Sequence, residues 1–314
     1  MHRSAALQKT VRKMPMQEQR GGQAVELKLL GTSAGEGYPG FWCECENCTL
    51  ARKLGGKNIR GNSSALLDSD VLLDLNAHSI DMFPRLDVHP STLRTLLVTH
   101  AHRDHFVPYF LQWRSMAPKY RGVPEGQLHK EISACFRELP WLDIYGNKFA
   151  EEALMNDHEV AGKEELCKFR FHRVEAGQKM QIRDMEVMPV RSIHTELFGF
   201  SYNYILRRGE KTLFYALDAG GWDPEMMEII LSYTYDCVVM EGTFGLGAEV
   251  EGHMCLEKNK RFLEVLNQHG CWKGEPNLWL THIAPHWAPP HDLYEKTVAG
   301  EGMHLGYDGK TIEI

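Results

Sequence analysis

Three histidines and one aspartate crowd the segment Thr99-His100-Ala101-His102-Arg103-Asp104-His105. In an extended chain, side chains at positions i and i+2 lie on the same side, so His100 and His102 can bind one ion together. Asp104 and His105 come next, where we expect the chain to begin a helix, and they point to a neighbouring position. Grouped imidazoles and a carboxylate are costly to desolvate unless a divalent cation accepts their lone pairs. The segment therefore predicts a metal site rather than a solvated polar loop.

Three of the eight cysteines form a second cluster, Cys43-Glu44-Cys45-Glu46-Asn47-Cys48. Cysteines this close in sequence are poor disulfide partners and good metal ligands; the alternative is a loosely packed group of surface thiols. Eight cysteines in 314 residues are too few for a disulfide scaffold. We therefore expect a reduced, cytoplasmic protein. The scattered cysteines read as ordinary thiols: Cys135, Cys167, Cys237, Cys255 and Cys271.

Four apolar, β-rich runs end directly in a residue that can bind a metal. These are Thr95–Thr99 before His100, Glu186–Ile193 before His194, Thr212–Leu217 before Asp218, and Leu278–Thr281 before His282. In layered α/β folds, ligand sites collect beyond the carboxyl ends of strands. One such coincidence is weak evidence, but four predict a single rim where the ligands converge.

The remaining elements favour a mixed-sheet α/β sandwich. Further strands are predicted at Val25–Gly31 and Val71–Leu75, and Tyr202–Arg207 is expected to pair with the following strand across a turn at Gly209. Helices are predicted at Ser79–Leu86, His105–Met116 (with Pro108 confined to a first turn), Lys148–Met155 after the N-cap Asn147, and Leu256–Gln268. Lys119–Gln127 is expected to be an exposed loop.

Composition and charge exclude several classes of protein. Hydrophobic residues make up 43% and charged residues 25% of the chain, as in soluble globular proteins, and no run approaches the roughly 18 apolar residues of a membrane span. A net charge of −7 argues against a strongly basic nucleic-acid-binding chain. Residues 1–24 differ, with a net charge of +4 and no apolar signal-peptide core. We expect a basic terminal tail, or a targeting arm, followed by one domain over residues 25–314.

The His-x-His-x-Asp-His segment resembles the signature of the metallo-β-lactamase-fold hydrolases, and the resemblance extends from Val25 to Ile314. It implies a four-layer αββα sandwich with a two-metal site at the edge between the sheets. Carried over by position, the implied ligands are His100, His102 and His194 for the first metal, Asp104, His105 and His282 for the second, and Asp218 bridging both.

The N-terminal half is similar to a narrower group, the PhnP-type phosphodiesterases, and a related pattern occurs in PqqB-type proteins. The similarity rests on Gly31–Pro39 followed by Trp42–Cys48. In PhnP-type enzymes three cysteines and a late histidine hold a structural zinc, which implies Cys43, Cys45, Cys48 and His286 here. The family spaces its two late histidines three residues apart, whereas His282 and His286 are four apart with Pro285 inserted. His291 is therefore kept as an alternative fourth ligand.

The resemblance also implies catalytic roles. Two ions about 3.5–4 Å apart can share a water and make hydroxide available at neutral pH. PhnP-type enzymes have a histidine before the last ligand, and His253 occupies that place as general acid or transition-state stabiliser. The alternative is a surface histidine at the start of a helix. Asp104 is expected to take part in catalysis as well as to bind the second metal.

Three functions remain open at this point. The first is a phosphodiesterase acting on a small substrate such as a cyclic ribose or nucleotide phosphate; the second is a lactone or thioester hydrolase on the same metals. The third is a PqqB-like cofactor-biosynthesis protein. A nuclease is disfavoured because the chain is acidic. Active-site metals of this ligand type include zinc, manganese and iron, and dimers are common among such enzymes, although the sequence leaves the oligomeric state open.

Overall fold

The structure is a computed structural model that describes residues 25–115, 139–194 and 200–314. The predicted basic tail and the predicted loop at Lys119–Gln127 lie outside these residues. Within the described residues, fourteen strands form two seven-stranded sheets. The first sheet has the order β14-β1-β2-β3-β4-β5-β6. Its strands are β1 (Glu26–Gly31), β2 (Ser64–Leu67), β3 (Val71–Leu73), β4 (Thr95–Leu97), β5 (Leu142–Gly146), β6 (Phe169–Arg173) and β14 (Thr311–Glu313).

The second sheet has the order β13-β12-β11-β10-β9-β8-β7. Its strands are β7 (Met180–Ile182), β8 (Met185–Ser192), β9 (Ser201–Arg208), β10 (Lys211–Ala216), β11 (Cys237–Glu241), β12 (Leu278–Thr281) and β13 (His304–Leu305). Each sheet is mixed, because β14 to β3 and β7 to β10 pair antiparallel while β3 to β6 and β10 to β13 pair parallel. The predicted antiparallel pair across Gly209 is confirmed as β9 and β10.

Alternation along the strands builds four layers. In β10, Leu213 and Tyr215 pack in the core between the sheets, whereas Phe214 packs on the outer face with helices. In β4, Leu97 faces the inter-sheet core and Leu96 faces the outer helices of the first sheet. Side chains in a strand alternate between faces, so each sheet buries both faces. The predicted αββα sandwich is confirmed.

Seven α-helices lie in the described residues. They are α1 (Glu46–Leu54), α2 (Ser79–Arg85), α3 (Lys148–Met155), α4 (Glu164–Cys167), α5 (Pro224–Leu231), α6 (Leu256–Gln268) and α7 (His291–Gly300). The predicted helices at α3 and α6 match to the residue, and Asn147 caps α3 by accepting from the amides of Phe149 and Ala150. None of the described helices is long and apolar enough to cross a membrane.

The segment after the histidine motif differs from its prediction. Asp104 and His105 lie in a turn rather than at a helix start, and Phe106 forms an isolated bridge with Leu75. A 3₁₀ helix follows at Pro108–Ser115, where an α-helix was expected from His105. The bridge keeps Phe106 and Val107 extended, so no helix can begin before Pro108. Proline suits the first position of the 3₁₀ helix because it has no amide hydrogen that would need a partner there.

Candidate metal centre

Three histidines that follow the ends of strands in the two sheets meet at one point. His100 and His102 follow β4 of the first sheet, and His194 follows β8 of the second. His100 Nε2 lies 2.9 Å from His102 Nδ1, and His194 Nε2 lies 3.4 Å from the same nitrogen. The possible ligand atoms of all three residues lie within 4.8 Å of one another. The structure thus brings together the residues predicted for the first metal.

A second group contains Asp104, His105 and His282, whose possible ligand atoms also lie within 4.8 Å of one another. His105 Nε2 lies 3.2 Å from His282 Nε2. Asp104 Oδ2 lies 3.4 Å from the first of these nitrogens and 3.7 Å from the second. These are the residues predicted for the second metal, and His282 reaches them from the end of β12.

Asp218 lies between the two groups. Its Oδ2 is 2.8 Å from His105 Nε2 and 3.4 Å from His282 Nε2, whereas Oδ1 is 3.8 Å from His194 Nε2. One carboxylate oxygen therefore faces each group, as expected of a bridging ligand.

The chemistry of these side chains fits divalent cations. Asp218 Oδ2 is buried and makes no hydrogen bond to any described residue, although imidazole nitrogens lie close to it. Burial lowers the pKa of His100 well below its ordinary value, which favours the neutral form that a metal needs. Burial acts in the same direction on His105, but Asp218 and Asp104 outweigh it and raise its pKa well above the ordinary value. The pocket thus holds excess negative charge that cations would neutralise.

Hydrogen bonds behind the imidazoles determine which nitrogen is available. His105 Nδ1 lies 2.7 Å from Asp74 Oδ2, and Asp74 is itself fixed by the amide of Thr99 at 2.8 Å. His282 Nδ1 lies 2.8 Å from Thr243 Oγ1. Each contact leaves Nε2 as the atom that faces the centre, which is the usual support for a histidine ligand.

The backbone is strained where several of these side chains leave their strands. Asp74, Asp218 and His282 have φ values of 65°, 48° and 55°, a left-handed region that residues other than glycine rarely adopt. Such conformations persist only where the surrounding structure imposes them, and they cluster at functional sites. Three strands therefore turn sharply just where they end, at Asp74, Asp218 and His282.

A histidine and a buried glutamate adjoin the metal groups. His253 Nδ1 lies 2.9 Å from Glu241 Oε2 and 3.6 Å from Asp218 Oδ1. Glu241, the last residue of β11, also accepts from the amide of Ala219 at 2.5 Å and from the Thr243 hydroxyl. Burial alone would lower the pKa of His253, but Glu241 outweighs it and raises that pKa to about 9. With Nδ1 bound to Glu241, only Nε2 of His253 remains for a substrate.

The loop that carries His253 is held by a lysine and by a close backbone contact. Lys258 Nζ donates to the carbonyl oxygens of Gly220 at 3.3 Å, Val250 at 2.6 Å and His253 at 3.0 Å. A Cβ on Gly220 would come within 2.5 Å of the Gly252 amide nitrogen, so only glycine allows these segments to approach. The His253 loop is thereby fixed against the loop that follows Asp218.

The cysteine cluster forms a separate group. Cys43, Cys45 and His286 have possible ligand atoms within 4.8 Å of one another, and His286 Nδ1 lies 3.7 Å from Cys43 Sγ. Cys48 is buried, and its thiol interacts with those of Cys43 and Cys45. Burial raises the pKa of Cys48 to about 12. Burial also acts to raise the pKa of Cys45, but hydrogen bonds, foremost that from the Cys48 backbone, lower it to about 7.

His291, the alternative fourth ligand, lies elsewhere. It is buried at the start of α7, and its Nδ1 lies 2.9 Å from the Arg60 guanidinium nitrogen Nη2. Since guanidinium can only donate, Nδ1 of His291 accepts that hydrogen bond and has no lone pair left for a metal. Burial and the Arg60 charge lower the pKa of His291 to about 4. The structure therefore brings His286, and not His291, to the cysteines.

Known proteins resemble this chain in sequence and in structure. Coenzyme PQQ synthesis protein B of Acinetobacter baylyi is 26% identical over 275 residues, covering 77% of this chain and 85% of the relative. No family model matches the sequence. A diphosphatase of the PhnP family superposes with a TM-score of 0.67 at 19% identity, covering 92% of this chain and 98% of that chain. Zn²⁺-bound PqqB of Methylobacterium extorquens superposes with a TM-score of 0.68 at 14% identity, covering 92% of this chain and 100% of that chain.

A further solved structure, a metallo-β-lactamase fold protein of Bacillus subtilis, matches over 93% of this chain with a TM-score of 0.62 at 15% identity. The chain has the metallo-β-lactamase fold. In this metallo-β-lactamase-fold protein, both predicted metal groups lie where strands of the two sheets end. At these identities the likeness concerns the fold, so the chemistry has to be argued from the side chains.

Three polar residues near the centre were not predicted from the sequence. Asp74, Glu241 and Thr243 each contact a histidine of the site. Asp74 and Glu241 do share one detectable feature, because each lies at the end of a short apolar strand, as the predicted ligands do. A search for every acidic residue at a strand end would have found them.

Proposed function

We propose that this protein is a metal-dependent hydrolase of small phosphodiesters. The observation that carries the proposal is the position of the Glu241–His253 pair beside the bridging carboxylate, with His253 Nδ1 at 3.6 Å from Asp218 Oδ1. Seven side chains suited to divalent cations converge next to a histidine that has one nitrogen free for a proton transfer. That combination suits a reaction that needs both a metal and a general acid.

Each side chain has a distinct task in this proposal. The two groups that share Asp218 would hold a pair of cations, zinc, manganese or iron, which supply Lewis acidity for water activation and charge neutralisation at a phosphate. Asp104, the most exposed carboxylate of the site at 22%, shapes the side open to substrate. His253 holds a proton at Nε2 and donates it to the leaving oxygen, while Glu241 fixes the orientation of the ring.

The need for a general acid favours a phosphodiester over a thioester. An alkoxide is a poor leaving group that requires protonation, whereas a thiolate leaves readily without it, since the ordinary thiol pKa is about 8.5. The solved PhnP-family structure is described as a diphosphatase, which supports phosphorus–oxygen bonds as the target. A lactone hydrolase remains the competing reaction on the same centre.

A second candidate is a PqqB-like role in cofactor biosynthesis. The sequence relative at 26% identity is a coenzyme PQQ synthesis protein, and this favours that role independently of the site. Only the first candidate predicts turnover of a phosphodiester that depends on His253, and this separates the two.

The remaining proposals concern metals and partners. We propose a structural zinc on Cys43, Cys45, Cys48 and His286, and a small-molecule phosphodiester as the sole partner besides a second copy in a homodimer. We also propose a cytoplasmic location without nucleic-acid or membrane partners.

A substrate panel combined with elemental analysis tests the proposal. The panel contains bis(p-nitrophenyl) phosphate, 2′,3′-cyclic and ribosyl cyclic phosphates, a diphosphate diester, a lactone and a thioester. We expect turnover of at least one phosphate substrate by protein that contains about three metal ions per chain. Turnover of only the lactone or the thioester contradicts the proposal, and failure on the whole panel with full metal content favours the PqqB-like role.

A further inference from the structure

Two aromatic side chains, Phe244 and Trp287, form an aromatic shelf beside His253. The Phe244 ring centroid lies 5.7 Å from that of His253 and 5.4 Å from that of Trp287, with the second pair of rings tilted by 41°. Phe244 is half-buried, whereas Trp287 keeps 44% of its surface exposed. A large apolar surface thus begins one ring away from the proposed general acid.

The shelf is built on the same two loops that serve the metal centre. Phe244 follows Thr243, which contacts the ligand His282, and its amide donates to the Met254 carbonyl, next to His253, at 2.9 Å. Trp287 belongs to the loop that begins at His282. The shelf is therefore fixed relative to the reacting centre and does not depend on a separate element.

Backbone contacts hold the indole in position. The Leu246 amide donates to the Trp287 carbonyl at 2.8 Å, and a Cβ on Gly245 would come within 2.6 Å of that oxygen. A Cβ on Gly247 would lie 2.8 Å from Cε3 of the indole. Glycine at position 247 lets the ring lie directly against the main chain, which leaves it exposed but supported, as a stacking surface requires.

We infer that the aromatic shelf binds a planar ring on the leaving group of the substrate, such as a nucleobase. This inference rests on the proposed function, because His253 protonates the leaving oxygen and Phe244 adjoins His253. A ring attached to that oxygen would thus lie within reach of the shelf, whose nearer ring centroid is 5.7 Å from that of His253. Planar rings stack on aromatic side chains whatever their hydrogen-bonding pattern, so the shelf would select for a ring rather than for one base.

Calorimetric binding tests the shelf without requiring turnover. The purified, metal-containing protein is titrated with thymidine 5′-monophosphate and with deoxyribose 5-phosphate, which share the phosphate and the sugar carbons but carry a base and a hydroxyl, respectively, at C1′. We expect the nucleotide to bind about tenfold more tightly, since base stacking contributes roughly that factor or more. Trp287→Leu should remove most of this preference and Trp287→Phe should retain it. Trp113→Leu is the matched control, because Trp113 is 49% exposed and packs on the outer face of the first sheet.

Kinetics with matched diesters separates the shelf from the proposed reaction. Thymidine 5′-methyl phosphate and its abasic counterpart have the same leaving alkoxide, so a higher kcat/KM for thymidine release reports the ring alone. Trp287→Leu should lower kcat/KM about tenfold for the nucleoside diester and leave the abasic diester unchanged. The inference that the shelf binds a ring is overturned if the wild-type protein binds the two monophosphates equally, or if its preference for the nucleotide survives Trp287→Leu. A clear Trp287-dependent preference without hydrolysis of either diester would refute the proposed function alone.

Discussion

Replacing Glu241 by glutamine tests whether the Glu241–His253 pair works as one unit. The substitution keeps the size of the side chain and removes its charge. The Glu241 carboxylate accepts hydrogen bonds from the amide of Ala219, the hydroxyl of Thr243 and the ring nitrogen Nδ1 of His253. A glutamine amide has only one accepting oxygen, so its NH₂ group must face at least one of these donors.

The expected loss follows from the contact at 2.9 Å between Glu241 Oε2 and His253 Nδ1. A buried hydrogen bond to a charged group contributes about 1.5–3 kcal/mol, which corresponds to a loss of about 10–150-fold in kcat if the contact serves the transition state. His253→Ala removes the acid itself, and general acid catalysis is worth roughly 10²–10⁴-fold. Since the glutamate acts through the histidine, Glu241→Gln in the His253→Ala background should cost less than about threefold.

The assay is a double-mutant cycle on the best phosphate substrate, with metal content measured for all four proteins. Equal metal content is essential, because Thr243 links Glu241 to the proposed ligand His282. If Glu241→Gln lowers kcat by the same factor whether or not His253 is present, the reasoning is refuted. The glutamate would then act through Thr243 or Ala219 on the metal centre and not through the histidine.

Three further predictions concern stability and metal content. Lys258→Met leaves three backbone carbonyls without their donor; we expect it to lower the free energy of unfolding by about 1–2 kcal/mol and to lower kcat, with partial rescue by Lys258→Arg, as measured by denaturation and turnover. Cys45→Ser should lose one zinc per chain and lower Tm more than it alters kcat, while Cys271→Ser keeps that zinc by elemental analysis; retention of full zinc by the first variant contradicts the structural site. His291 has a folded-state pKa of about 4, so the unfolded chain binds the proton first and stability falls as pH drops from about 6.5 toward 4. His291→Gln, whose amide oxygen can still accept from Arg60, should lose less stability over that range, and identical pH profiles would contradict the assignment.

Much of the candidate site could be predicted because its signals are local. His100 and His102 share a side through the backbone geometry of an extended segment, and their nitrogens lie 2.9 Å apart. His194, Asp218 and His282 were predicted because each follows an apolar strand, and strand ends of a layered fold meet at one edge. The helices α3 and α6 were also predicted to the residue, since a cap and an amphipathic pattern are properties of adjacent residues.

The remainder depends on contacts between distant parts of the chain. The expected helix from His105 is replaced by a turn and a 3₁₀ helix, because Phe106 pairs with Leu75, which no local pattern encodes. His286 was the predicted fourth zinc ligand and His291 the alternative; His291 bonds Arg60, a contact that no local pattern encodes.

The sequence by itself predicted the candidate ligand types and a mixed-sheet α/β sandwich, since these follow from spacing and periodicity along a strand or helix. The family resemblance implied the four layers and the grouping of the candidate ligands into two metal sites. Only the tertiary structure decided what surrounds the ligands. Asp74 lies 31 positions before the histidine that it orients, and Phe244 meets Trp287 from a different loop. These contacts form because strands of the two sheets end beside one another, and that arrangement exists only once the sandwich has packed.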